Sequence, residues 1–207
     1  MDPKTIAAEV AAIGGILASY PLDWIARRAE PYVCTRSSEP VIMVHGMGGS
    51  RANLLGLATY LRLASFDNIS YFEYSRWQAL GDSAAQLGRI VEQCDEGGGV
   101  HLVGYSLGGT IARLYAVGAS RGRVRSLVSL GSPYSLAQYS PREVAIFGDQ
   151  DPIVPAPLKV LTSPFAFGRL EILQNVGHLA LLYHPEVLRI VGTELRANRA
   201  VEAARAA

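Results

Sequence analysis

Cysteine is scarce in this chain: there are two in 207 residues, Cys34 and Cys94. No C-x-x-C pair occurs, so a metal knuckle or a dithiol redox site is excluded. Two free buried thiols are the expected state, because an unpaired cysteine packs as a small hydrophobe; the sequence leaves a disulfide between them open. An excess of one charge is missing too. Nineteen Lys and Arg against 18 Asp and Glu give a net charge of +1, so no large field draws nucleic acid to the chain. There is no G-x-x-x-x-G-K-[ST] sequence, and "GMGGSR" lacks the G-x-G-x-x-G spacing, which excludes the usual nucleotide-phosphate loops. No cofactor and no metal are expected, and no internal repeat is present.

Long apolar runs are also lacking. The most apolar stretch, Val10–Leu22, reads "VAAIGGILASYPL" and falls short of the ~20 residues that span a bilayer. A signal peptide needs a basic n-region before an apolar core, whereas Asp2 and Glu9 intrude here and Lys4 is the only cation ahead of the stretch. Residues 1–40 are therefore expected to be a helical extension packed on the domain. Residues 10–22 are the one candidate for peripheral membrane contact, in a protein otherwise expected to be cytoplasmic.

What the chain does have is apolar residues, 49% of the total, arranged in alternating patterns. Short β-rich runs occur at Val41–Val44, Ile69–Tyr74, Val100–Gly104, Val124–Leu130, Glu143–Phe147 and Arg169–Leu173. They are nearly continuous in apolar character, as strands covered on both faces should be. Helical patterns lie between or after them, near Ala52–Ala64, Ser83–Glu96, Leu107–Ala119 and Pro185–Leu195. In the third, Ile111, Leu114, Tyr115 and Gly118 recur at helical spacing. Strand–helix alternation predicts an α/β fold, a mostly parallel sheet of about six strands with helices on both faces. The expected organisation is an N-terminal helical extension over 1–40, one catalytic domain over 41–195 and a fraying tail over 196–207.

Chemistry is concentrated at the ends of these strands. "GYSLG", Gly104 to Gly108, places Ser106 between a strand and a helix, fenced by glycines. A sharp strand-to-helix turn needs small neighbours and lifts the serine oxygen above the sheet; this is the nucleophile-elbow pattern. A serine hydroxyl needs a base within reach, and the base needs an orienting acid. Among four histidines, His178 follows the last strand after the turn residue Gly177 and is the favoured base. His184, just before Pro185, suits a helix cap. His101 opens the strand at the far edge from the elbow and suits a structural role. His45 suits support of its own loop. For the acid, Asp149 and Asp151 both follow the strand Glu143–Phe147; Asp151, stiffened by Pro152 and Pro155, is preferred. An oxyanion needs two aimed N–H groups. Leu107, just after the serine, supplies one candidate, and Met47, in the "HGMGG" loop after the first strand, supplies the other.

With these residues in hand, the chain resembles the α/β-hydrolase family, and within it the small bacterial lipases and esterases with a minimal core. The order Ser106, Asp151, His178 matches that family's chain order. The "HGMGG", "GYSLGG", "DPIVP" and "VGHLALLYHPEV" segments fall where the family places its oxyanion loop, nucleophile, acid and base. Tyr105 stands where a histidine often precedes the nucleophile. The resemblance implies a serine carboxylester hydrolase working through an acyl-serine, with a thioesterase or lipid acyltransferase as the near alternative and a non-catalytic binding protein as the remote one. Gly131–Glu143 is too short for a cap domain. Met47, Tyr134 and Leu179, with Pro155–Gly168, are candidates to line a groove for a small ester or lipid.

Overall fold

Each of the β-rich runs forms a strand. The computed structural model describes residues 1–29, 39–118, 122–134, 143–156 and 168–206. The strands are β1 (Val41–Val44), β2 (Ile69–Phe72), β3 (Val100–Tyr105), β4 (Val124–Leu130), β5 (Glu143–Gly148) and β6 (Arg169–Leu173). They build one sheet in the order β2-β1-β3-β4-β5-β6, and every neighbouring pair is parallel. The helices are α1 (Pro3–Ala29), α2 (Leu55–Leu63), α3 (Leu80–Cys94), α4 (Leu107–Gly118) and α5 (Pro185–Ala206).

The apolar character of the strands follows from burial on both sides. In β1, Val41 and Met43 pack with Leu57 and Leu61 of α2 and with Val187 and Val191 of α5. Ile42 and Val44 point the other way, onto Leu87 and Val91 of α3 and Ile111 and Tyr115 of α4. With both faces covered, no position in β1 can be polar, and the period-two signal of a half-exposed strand is erased.

Two expectations need correction at the chain's ends and one in its interior. The tail expected to fray beyond Leu195 continues as helix α5 to Ala206; "RANRAVEAARA" is rich in alanine, arginine and glutamate, which are strong helix formers. At the other end the apolar run proves longer than Val10–Leu22. Pro3–Trp24 is long and apolar enough to cross a membrane by length and composition, since the isolated Glu9 does not break the run. Cys94 is fully buried and disulfide-bonded, not a free thiol; Cys34 lies outside the described residues. So do residues 135–142 and 157–167, most of the segments expected to connect near Gly131–Glu143 and to line a groove.

A buried ion pair braces the sheet beneath the site. Arg113 on α4 and Glu143 at the start of β5 are both fully buried. Arg113 Nη2 donates to Glu143 Oε1 at 2.7 Å and its Nε to Oε2 at 2.8 Å, while Nη1 donates to the Pro133 carbonyl at 2.8 Å. Ser129 of β4 donates to the same carboxylate. Removing one member of such a pair leaves a buried charge uncompensated and costs about 3–5 kcal/mol. Glu143→Gln and Arg113→Met should each lower stability to urea by about that amount. The double substitution should lose clearly less than the sum, because it strands no charge.

Candidate active site

The strand order turns around β1: β2 lies on one side of it and β3 on the other. Parallel sheets open a crevice at the carboxyl ends of the strands where the order reverses. The glycine-rich loop after β1 and the serine turn after β3 flank that crevice.

Ser106 has φ of 51°. A non-glycine residue in this left-handed region is strained, and such strain persists only where the surroundings over-determine it. Here the Ser106 N–H donates to the Leu130 carbonyl of β4 at 2.7 Å, and the Gly109 N–H donates to the Ser106 carbonyl at 3.0 Å. The glycines serve close approach. A Cβ on Gly104 would overlap the backbone of Gly108 and Gly109, and one on Gly108 would overlap the Val44 and His45 carbonyls. α4 can therefore begin directly against the end of β1. Its first residue, Leu107, carries one of the N–H groups left without an intrahelical partner at a helix start.

The loop after β1 lies against the same serine. A Cβ on Gly46 would stand 3.1 Å from Ser106 Cβ. The loop closes as a turn, with Gly49 N–H donating to the Gly46 carbonyl at 3.1 Å. Met47 sits at its tip with 71% of its surface exposed. His45 is buried beneath it and stacks on Tyr74 at 4.6 Å between ring centroids, while the Tyr74 hydroxyl donates to the His45 carbonyl at 3.0 Å. Burial pushes that tyrosine's pKa up, so its proton stays in place.

His178 and Asp151 meet. His178 Nδ1 lies 2.6 Å from Asp151 Oδ2, with both side chains buried. The other carboxylate oxygen, Oδ1, accepts the Ile153 and Val154 N–H groups, both at 2.8 Å. Asp149 is occupied elsewhere: its Oδ1 accepts from Asn175 N–H at 2.6 Å and fastens the β6–His178 loop. The imidazole lies over the end of β4, where a Cβ on Gly131 would come within 3.1 Å of Nδ1. Leu130 is the register partner of Tyr105, so Ser106 and His178 are both fastened at the same strand end.

The remaining histidines take other places. His101 is buried with Nδ1 2.7 Å from Ser126 Oγ. His184 precedes α5 and its Nδ1 accepts the Glu186 N–H at 3.3 Å, a helix cap. Of the groove candidates, Tyr134 packs edge-on against Phe147 at 6.5 Å, and Leu179 lies partly buried against the core.

Sequence reading missed three contributors. The Tyr105 hydroxyl donates to the His178 carbonyl at 3.3 Å. Burial, reinforced by the Asp151 charge, raises the tyrosine's pKa, so it remains a neutral donor. Glu9 of α1 reaches the segment after the histidine: its carboxylate accepts the Leu179 N–H at 3.1 Å and the Ala180 N–H at 2.7 Å. A Cβ on Gly177 would stand 2.7 Å from that carboxylate and push it aside. Asp2 and Gln150 bond reciprocally at 2.7 Å, tying the start of α1 to the Asp151 loop. The available signal was Asp2 and Glu9 themselves, acids interrupting an apolar N-terminus.

The model of the palmitoyl protein thioesterase family matches residues 40–163. The chain belongs to that family. Its fold is that of the α/β-hydrolases, and it is a hydrolase of that superfamily. It is similar to an esterase from Thermogutta terrifontis (16% identity, 79% of this chain and 92% of that one, TM-score 0.60). It is similar as well to a serine hydrolase described as lacking a lid, from Xanthomonas campestris (20% identity, 82% and 84%, TM-score 0.55). A third likeness is to a serine hydrolase involved in carbazole degradation (16% identity, 79% and 93%, TM-score 0.61). These likenesses speak for the fold; the substrate is argued from the site.

Proposed function

We propose that this α/β-hydrolase cleaves apolar carboxylic esters through an acyl–Ser106 intermediate. The observation that carries the reading is the strained Ser106 turn at the same strand end as the buried His178–Asp151 pair. Ser106 Oγ attacks the ester carbonyl carbon as His178 Nε2 takes its proton. Asp151 holds the ring through Nδ1 and stabilises the imidazolium. The N–H groups of Met47 and Leu107 receive the oxyanion. Collapse breaks the bond to the alkoxy oxygen, and the imidazolium returns the proton to the departing alcohol. Water, activated by the same histidine, then releases the acid and restores Ser106. Met47, Tyr134 and Leu179 are the proposed acyl contacts.

Family membership favours a second reading in the same chemistry, in which the leaving group is a thiol and the substrate a long-chain acyl thioester. Matched p-nitrophenyl esters and acyl thioesters, from acetyl to palmitoyl, separate the two. On either substrate class kcat/KM should rise with acyl length by at most about fourfold per methylene, the equivalent of ~0.8 kcal/mol per buried CH₂. Ester turnover well above thioester turnover supports the first reading, and the reverse order supports the second. A folded protein that turns over neither and takes no fluorophosphonate label on Ser106 would instead be a binding protein on a hydrolase scaffold.

Glu9 is proposed as a positioning residue for His178. Glu9→Ala leaves two N–H groups without their acceptor, a loss of about 1–3 kcal/mol. If that energy holds the histidine segment in place, kcat falls roughly ten- to a hundredfold with little change in KM. Glu9→Gln, which keeps one acceptor oxygen, should recover part of the loss. A lowered melting temperature with unchanged kcat would confine Glu9 to stability.

A further inference from the structure

Helix α1 is inside out. Its side chains at Thr5, Ala12, Ser19 and Asp23 are buried against the domain, small or polar in every case. Apart from Ile16, which packs against the core, most of its large apolar side chains face away: Ile6, Val10, Ile13, Leu17, Tyr20 and Trp24 are each between 43% and 65% exposed. At 3.6 residues per turn these six fall in a band about 80° wide. A soluble helix normally turns its apolar stripe to the core and its polar face to water. Between Ile6 and Trp24 the only charged residues are Glu9 and Asp23, and both are turned to the protein. Glu9 accepts from Leu179 and Ala180, and Asp23 pairs with the buried Arg51.

We infer that the outward stripe of α1 is a docking surface for the face of a lipid bilayer, on which the protein lies with its catalytic domain still attached. An apolar patch of this extent on a soluble protein marks an interaction site. Two features select lipid as the occupant. The stripe ends in Tyr20 and Trp24, whose amphipathic rings favour the headgroup level. Pro3–Trp24 is also long and apolar enough by composition to enter a membrane, and the two acids within the stripe's span are turned to the protein. Insertion across the membrane is disfavoured, because it would strip Glu9 and Asp23 of their partners and carry both carboxylates into hydrocarbon.

The consequence is positional. α1 is bonded to the loop bearing Asp151 through Gln150 and to the segment after His178 through Glu9. Met47 and Ile153, 71% and 64% exposed, stand on loops leaving the same edge of the sheet. Docking would thus hold the segments that carry Asp151 and His178 beside the helix that meets the lipid. Between Ile6 and Trp24 the stripe carries no cation, so binding should not need anionic lipid.

Sedimentation with phosphatidylcholine vesicles tests this without turnover, so the result is separable from the fate of the hydrolase reading. The full chain should bind. Val10→Glu/Leu17→Glu should lower the vesicle partition coefficient at least tenfold while keeping the native melting temperature. Failure of the native chain to sediment, or equal sedimentation of the double variant, overturns the proposal. A dimer in the absence of lipid, dissolved by the same substitutions, would assign the stripe to a second copy. A double variant that melts well below the native chain would show that the chain itself covers the stripe. Either result also overturns the bilayer reading.

Discussion

Ser106→Ala and His178→Ala are each expected to lower kcat by roughly 10⁶-fold, and the double variant to be scarcely worse than either single one. The two groups act as a unit in the proposed mechanism. Without Oγ there is nothing for the imidazole to activate, and without the imidazole the hydroxyl remains a weak nucleophile. What survives is binding and the oxyanion N–H groups, which alone retain about 10³–10⁴-fold over water. Neither substitution should unfold the protein. Ser106→Ala removes one oxygen from a turn held by backbone bonds to Leu130 and Gly109, and His178 stands in a segment also held by Glu9. Burst and steady-state kinetics on a p-nitrophenyl ester, with circular dichroism on each variant, provide the check. A Ser106→Ala protein retaining more than about a tenth of native kcat, far above the loss expected of a removed nucleophile, would show that another group opens the ester.

The serine turn could be read from sequence because its constraint is local. Gly104 and Gly108 must be small because Gly109 and the end of β1 pass against them, and that requirement is written within five residues. β1 was legible with correct bounds for a related reason: a strand buried on two faces leaves an unbroken apolar run. Contacts made across the chain left no such trace. Arg113 sits in an otherwise ordinary helical pattern, and its partner Glu143 opens a strand 30 positions on; neither residue reveals that both are fully buried. Glu9 meets Leu179 and Ala180 from the other end of the chain, so its role depends on a packing that periodicity does not encode. α1 shows the limit of pattern reading most directly. Its apolar stretch is helical, yet most of its large apolar side chains are turned away from the domain, against the usual orientation of an amphipathic helix.

Asp151→Asn is expected to lower kcat by roughly 10⁴-fold, the size of loss seen when an amide replaces the acid of a serine–histidine–acid site. The two aspartates are two residues apart in the same loop, and the sequence offers both. Their bonds differ in kind. Asp151 gives one oxygen to His178 Nδ1 and the other to the N–H groups of Ile153 and Val154, so its position is set from behind while it orients the ring. An asparagine can keep those backbone bonds through its carbonyl oxygen. It then turns its NH₂ toward Nδ1, which favours the tautomer with the proton on Nε2 and blocks proton abstraction from Ser106. The loss should therefore appear in kcat, with the fold and KM little changed. Asp149 bonds only backbone, at Asn175 and Val176. Asp149→Asn retains an acceptor for them, so it should cost about 1 kcal/mol of stability, the net worth of a typical hydrogen bond, and leave kcat within a fewfold of native. Steady-state kinetics and thermal melts of the two variants side by side decide the assignment. Should Asp149→Asn prove the more damaging to kcat, the acid would move to Asp149, and the 2.6 Å contact between His178 and Asp151 would have to be a resting arrangement that turnover rearranges.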